Sequence, residues 1–139
     1  MVKIYTYDEV YNASLKYFNN DELAAKIFVD KYALRDQNSN LLELLPDDMF
    51  NRVCRELARI EKDKFKEPLS FEELRELVNF KYICPQGRVL FGCGNLYQYV
   101  TCANCYSVPS PLDSYSGIHY TDEHITQISK RGAGIGVDI

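Results

Sequence analysis

The sequence predicts an α+β chain, with a helical region over residues 1–80 followed by short strands and a helix over residues 81–139. Three observations predict it. Charge is concentrated in the first part, where residues 1–80 hold 12 of the 16 Lys and Arg and 16 of the 20 Asp and Glu. Apolar residues there recur at amphipathic-helix spacing behind recognisable N-terminal caps. Beyond Phe80–Pro85 the pattern changes to short β-branched and aromatic runs punctuated by Gly and Pro.

The elements follow in order. Thr6-Tyr7-Asp8-Glu9 fits a capping box, in which a Thr hydroxyl and a Glu three residues on satisfy each other's free backbone amides. A helix follows with Val10, Ala13 and Tyr17 inward. Asn20, Asp21 and Glu22 open a second helix, because acids suit the positive end of the helix dipole. Leu23, Ala24, Ile27 and Phe28 form its expected apolar stripe. Asp36 to Asn40 is a polar turn. Pro46 suits a first helical position, and Phe50, Val53, Cys54 and Leu57 recur behind it. Ser70-Phe71-Glu72-Glu73 is a second capping box, continued by Leu77 and Val78.

After Pro85, Arg88–Phe91 and Cys105–Val108 read as strands, with Gly92 and Gly94 as turn residues between them. Pro109 and Pro111 end the second strand. Thr121 or an immediate neighbour is the expected cap of a helix carrying Ile125 and Ile128 on one face. Lys130 and Arg131 fall in its last turn and Gly132 just beyond. Val137 to Ile139 begins another strand.

Bulk properties narrow the class. The 139 residues suggest one ordinary domain. A net charge of -4 argues against a dedicated DNA or RNA binder. No apolar run approaches the roughly 20 residues that span a bilayer, and the N-terminus lacks a signal peptide's apolar core. The expected location is the cytoplasm. The five cysteines, an odd number, point to free, metal-binding or catalytic thiols rather than a secreted disulfide scaffold.

Cys84, Cys93, Cys102 and Cys105 fall close together, but only Cys102 and Cys105 have knuckle-like spacing, so zinc is disfavoured. A thioredoxin-type pair needs a helix N-terminus, whereas this pair lies in strand-like sequence before prolines. Cys54, Cys84, Cys93 and Cys102 are expected to be buried and structural. Gly132, Gly134 and Gly136 follow a helix and precede a strand, the reverse of a dinucleotide fingerprint. They read as a helix end with close backbone packing, or as bare backbone that a nucleotide can approach. Asp113, alone, reads as a turn residue, and His119 and His124 as surface positions.

As an ordered set these pieces resemble the large catalytic subunit of ribonucleotide reductase. Asp21–Leu34 and Leu45–Arg52 are similar to that family's N-terminal helical region, and Pro85-Gln86-Gly87-Arg88 to the approach to its catalytic barrel. Asn104–Ser114 followed by Gln127–Gly136 is the most specific stretch. The resemblance implies that residues 81–139 form the first strands and helix of a ten-stranded α/β barrel. It implies that Cys105 is a redox-active thiol beside the substrate ribose, forming half of a disulfide in each turnover. Asn104, Ala133 and Gly134 match positions at the substrate pocket. Asp113 and Ser114 match contacts to a specificity effector, a deoxynucleoside triphosphate or ATP.

The resemblance also implies partners: the C-terminal remainder of the subunit, a second copy in a homodimer, a ribonucleotide substrate and a thioredoxin-like reductant. The radical source implied most closely is adenosylcobalamin, with a separate metal-bearing subunit as the alternative. No metal site is expected in this chain. The thiyl-radical cysteine and second redox cysteine of relatives lie downstream of Ile139. The chain is therefore expected to be a ribonucleoside-diphosphate reductase fragment, active only once assembled, with diphosphate or triphosphate substrates left open. A non-catalytic remnant or nucleotide-binding regulatory module, and a small zinc-binding interaction protein, are the rival readings.

Overall fold

The structure, a computed structural model, describes residues 3–138. It comprises two compact units, Met1–Gln98 and Tyr99–Ile139. Composition places the break near Phe80–Pro85; the structural boundary falls later, because residues 81–98 pack with the helices. No helix among the described residues is long and apolar enough to cross a membrane.

The first unit holds α1 (Tyr7–Tyr17), α2 (Glu22–Ile27) running into a π-helical turn (Phe28–Tyr32), α3 (Pro46–Lys64), α4 (Phe71–Leu77) and α5 (Gly87–Gly92). Both predicted capping boxes form. The Glu9 and Glu73 amides donate to Thr6 Oγ1 and Ser70 Oγ at 3.3 and 3.2 Å. In return the Thr6 and Ser70 amides donate to the two carboxylates at 2.7 and 2.8 Å. These backbone donors hold both carboxyls below the ordinary glutamate range. Asp21 caps α2 by accepting from the Ala24 amide at 2.9 Å. Pro46 opens α3, and Asp48 accepts from the Leu44 and Leu45 amides at 3.0 Å each.

The core draws Val10 from α1, Phe28 and Val29 from the π turn, Met49, Phe50 and Cys54 from α3, Leu74 from α4 and Leu90 from α5. The α2 stripe sits one position away from the expected one. Ala25, Phe28 and Val29 are buried, whereas Leu23 is 69% exposed. Both sets obey helical spacing, and the packing of the π turn against α1 and α5 selects the observed one.

Arg52, in the middle of α3, is buried. Its Nε donates to Glu43 Oε1 at 2.8 Å, and Glu43 Oε2 accepts from the Leu34 amide at 2.9 Å. Its Nη2 donates to the Leu90 carbonyl at 3.0 Å and its Nη1 to the Cys93 carbonyl. Those carbonyls end α5, where a helix leaves acceptors without internal partners and favours a cation. This contact accounts for a correction: Arg88–Phe91, expected as a strand, is helical. A short apolar run fits either state, and Arg52 supplies what a single-turn helix lacks.

The second unit is β1 (Cys105–Val108), α6 (Tyr115–Ser129) and β2 (Gly134–Val137), with the two strands parallel. A helical crossover is the usual way to join parallel neighbours. Two expectations shift here. Helix α6 starts at Tyr115 behind Ser114, so Thr121 is a buried mid-helix residue and not the cap. Strand β2 starts at Gly134, before the expected Val137, and Ile139 lies outside the described residues. Gly132 takes a φ of 77°, just past the helix as expected. The described residues form a mostly helical protein with one small parallel sheet.

Replacing Arg52 with Met strands the Glu43 carboxylate and frees the α5 carbonyls. Breaking a buried pair from one side costs about 3–5 kcal/mol. The R52M chain is expected to lose that much in urea unfolding followed by helix signal, with R52M/E43L regaining much of it. An unchanged R52M midpoint would contradict the assignment.

Candidate functional site

Parallel pairing builds the site. Cys105 lies opposite Gly134, Tyr106 opposite Ile135, Ser107 opposite Gly136 and Val108 opposite Val137. The Gly134 amide donates to the Asn104 carbonyl at 2.7 Å. Asn104, Cys105, Ala133 and Gly134, separated by a whole helix in sequence, thus meet where the two strands begin. Ala133 is buried beneath this end, while Cys105 is exposed. A Cβ built on Gly134 would lie 3.2 Å from Cys105 Sγ. The next residue on β1, Tyr106, shares a 2.5 Å hydrogen bond between its hydroxyl and Thr101 Oγ1.

Asp113 and Ser114 stand elsewhere. The chain leaves β1 at Val108, turns through Pro109 to Leu112 and opens α6. A four-residue strand and a turn therefore separate these two residues from the cysteine along the chain. Asp113 is exposed at the positive end of α6. The Ser114 hydroxyl accepts from the Gly117 amide at 3.1 Å, so it is already engaged as the helix cap. Next to them is a hollow of about 370 Å³ lined by Val108, Pro109, Leu112, Gly117, Tyr120 and His124, among others.

Gly117 is a residue that sequence reasoning passed over. A Cβ there would lie 2.6 Å from the Leu112 carbonyl oxygen, so bare backbone is needed for the turn after β1 to fold against α6. The available signal was Ser114 three residues ahead of it. Arg52 and Glu43 were also missed, since charged residues are rarely read as core.

The cysteines divide by access. Cys54 is fully buried, and burial pushes its thiol up. Cys93 is half-buried. Cys84 and Cys102, expected to be buried, are exposed because both lie in chain segments outside the helices and strands. Among the described residues no group of three or more His, Cys, Asp or Glu is placed to hold a metal ion. The arrangement can present an accessible thiol at a strand end, with peptide groups and a glycine around it.

Residues 18–98 match the family model described as the ribonucleotide reductase all-alpha domain. The chain belongs to the ribonucleotide reductase family. The matched segment of this reductase chain ends where its first unit ends, and β1, α6 and β2 lie beyond it. The chain is also similar to the ribonucleoside-diphosphate reductase subunit alpha of Helicobacter pylori strain 26695, with 31% identity over 121 residues, 87% of this chain and 14% of that protein. The protein of the same name from strain J99 gives the same identity and coverage. The reductase chain therefore spans about a seventh of the length of these curated relatives.

Ser114→Ala removes the α6 cap and is expected to cost about 1 kcal/mol. Amide exchange in the first turn of α6 should accelerate accordingly, and Ser114→Asp should restore protection. Unaltered exchange in Ser114→Ala would contradict the capping role.

Proposed function

We propose that this chain supplies the first redox thiol and part of the nucleotide-binding surface of a ribonucleotide reductase large subunit. The observation that carries the proposal is the pairing of Cys105 with Gly134 directly after a matched reductase domain. Asn104, Ala133 and Gly134 flank the ribose, and Cys105 faces it. In the reaction the ribonucleotide loses its 2′-hydroxyl as water. Cys105 and a second thiol supply two electrons and two hydrogens and become a disulfide. A thioredoxin-like reductant returns that disulfide to two thiols. The second thiol comes from the remainder of the subunit, as the family resemblance implies.

The βαβ arrangement of β1, α6 and β2 suits the opening of a ten-stranded α/β barrel that the remainder completes. Asp113 holds the sugar of a deoxynucleoside triphosphate or ATP effector, and a second copy pairs with the assembled subunit. A ribonucleoside diphosphate is the favoured substrate, supported by the names of the two relatives. The assembled enzyme works in the cytoplasm.

Adenosylcobalamin is the first reading of the radical source, on the likeness of Pro85–Arg88 and Asn104–Pro111 to that class. A separate metal-bearing subunit is the second, favoured by the relatives' designation as subunit alpha. Either source would supply the unpaired electron that initiates the chemistry. The competing regulatory reading keeps the hollow beside Asp113 and performs no reduction.

The test mixes this chain with the remainder of the subunit, a ribonucleoside diphosphate, a dithiol reductant and each radical source in turn. Deoxyribonucleotide is expected with one source, and Cys105→Ser is expected to abolish multiple turnover. Absence of product with both sources would overturn the enzyme reading. Unchanged turnover in Cys105→Ser would overturn the role of the thiol.

A further inference from the structure

We infer that Gly134 is a positioning residue for the Cys105 thiol: its missing side chain is the space that lets Sγ point across the ladder. The inference deepens the proposed redox role of Cys105 and rests on it for function, though the geometry stands apart from any activity. Gly134 and Cys105 are register partners on adjacent parallel strands. A Cβ on Gly134 would stand 3.2 Å from Cys105 Sγ and 3.5 Å from the Asn104 carbonyl oxygen. The first separation is closer than ordinary van der Waals contact, so one partner must yield.

Backbone conformation does not require glycine here. Positive φ among the described glycines is confined to Gly94 and Gly132. Space is what requires it. Gly136, two residues on and on the same face of β2, provides the contrast, because a Cβ there meets nothing within 4 Å. Ladder hydrogen bonds hold the strands, whereas the thiol turns about a single bond. A methyl at 134 would therefore displace the thiol from its rotamer before it moved the strand. A thiol that must meet both a ribose and a second thiol depends on that rotamer.

Two experiments on the chain test this. In the first, iodoacetamide alkylation is followed by peptide-resolved mass spectrometry, with the exposed Cys84 and Cys102 as references in the same tube. Gly134→Ala is expected to slow Cys105 alkylation roughly two- to tenfold, the range a displaced and crowded rotamer carries. Gly136→Ala should leave the rate unchanged. Equal slowing in both variants, or in neither, would overturn the inference.

The second is a double-mutant cycle in stability, which reads the clash even if Gly134→Ala folds poorly. The cost of Gly134→Ala should shrink when Cys105 is already Ala, because Sγ is gone. An undiminished cost would overturn the inference. In the assembled reductase, Gly134→Ala should lower kcat, whatever it does to KM for the ribonucleotide that Gly134 flanks. An unchanged kcat would leave Gly134 with substrate contact alone and overturn its positioning role. Alkylation and the cycle report the thiol's geometry whether or not the reductase reading survives.

Discussion

The buried pair of Arg52 and Glu43 is the constraint on which the helical unit depends. A guanidinium inside a protein must satisfy its N–H donors, and here the acceptors come from three places in the sequence. Glu43 precedes α3 and also binds the Leu34 amide, while the Leu90 and Cys93 carbonyls close α5. One side chain therefore fixes the segment after the π turn, the approach to α3 and the exit from α5. Such a pair adds little net stability over an apolar substitute, but no arrangement that leaves it half-satisfied is tolerated. Its effect is to select one packing of short helices over others with similar apolar burial.

In the second unit the corresponding constraint is the parallel ladder. Parallel strands cannot be joined by a tight turn, so α6 must carry the chain back along the sheet. That requirement returns Ala133 and Gly134 to the place where Asn104 and Cys105 began. It also puts Asp113 and Ser114 at the far end of β1. The exposed thiol and the start of α6 thus lie on either side of the strand in sequence, while α6 and β2 connect them through contiguous backbone. Access decides which thiol can act. Cys54 is buried and its thiol pushed up, whereas Cys105 is open.

Local chemistry was readable in the sequence. Thr6, Asp21, Pro46 and Ser70 each announce a helix start because a cap needs only residues three positions apart. Cys105–Val108 reads as a strand because prolines stop it. Where the outcome rests on distant partners, the sequence is ambiguous. Arg88–Phe91 suits strand or helix until Arg52 reaches its carbonyls. The first turns of α6 are hidden by Gly117, a poor helix former kept for close packing against Leu112. Leu23 and Ala25 lie on different faces of α2, and the π turn chooses which one is buried. Exposure of Cys84 and Cys102 was equally unreadable, since thiols look alike in any context. The meeting of Cys105 with Gly134 depends on non-local pairing, so spacing never revealed it; the family resemblance alone pointed there.

In the proposed reaction Cys105 gives up its electrons to the ribonucleotide. Its most direct test is one turnover of the assembled reductase without external reductant, quenched with acid and mapped by mass spectrometry under non-reducing conditions. One disulfide per deoxyribonucleotide formed is expected, with Cys105 in it and Cys54, Cys84, Cys93 and Cys102 still reduced. Product formed while Cys105 stays a free thiol would contradict it.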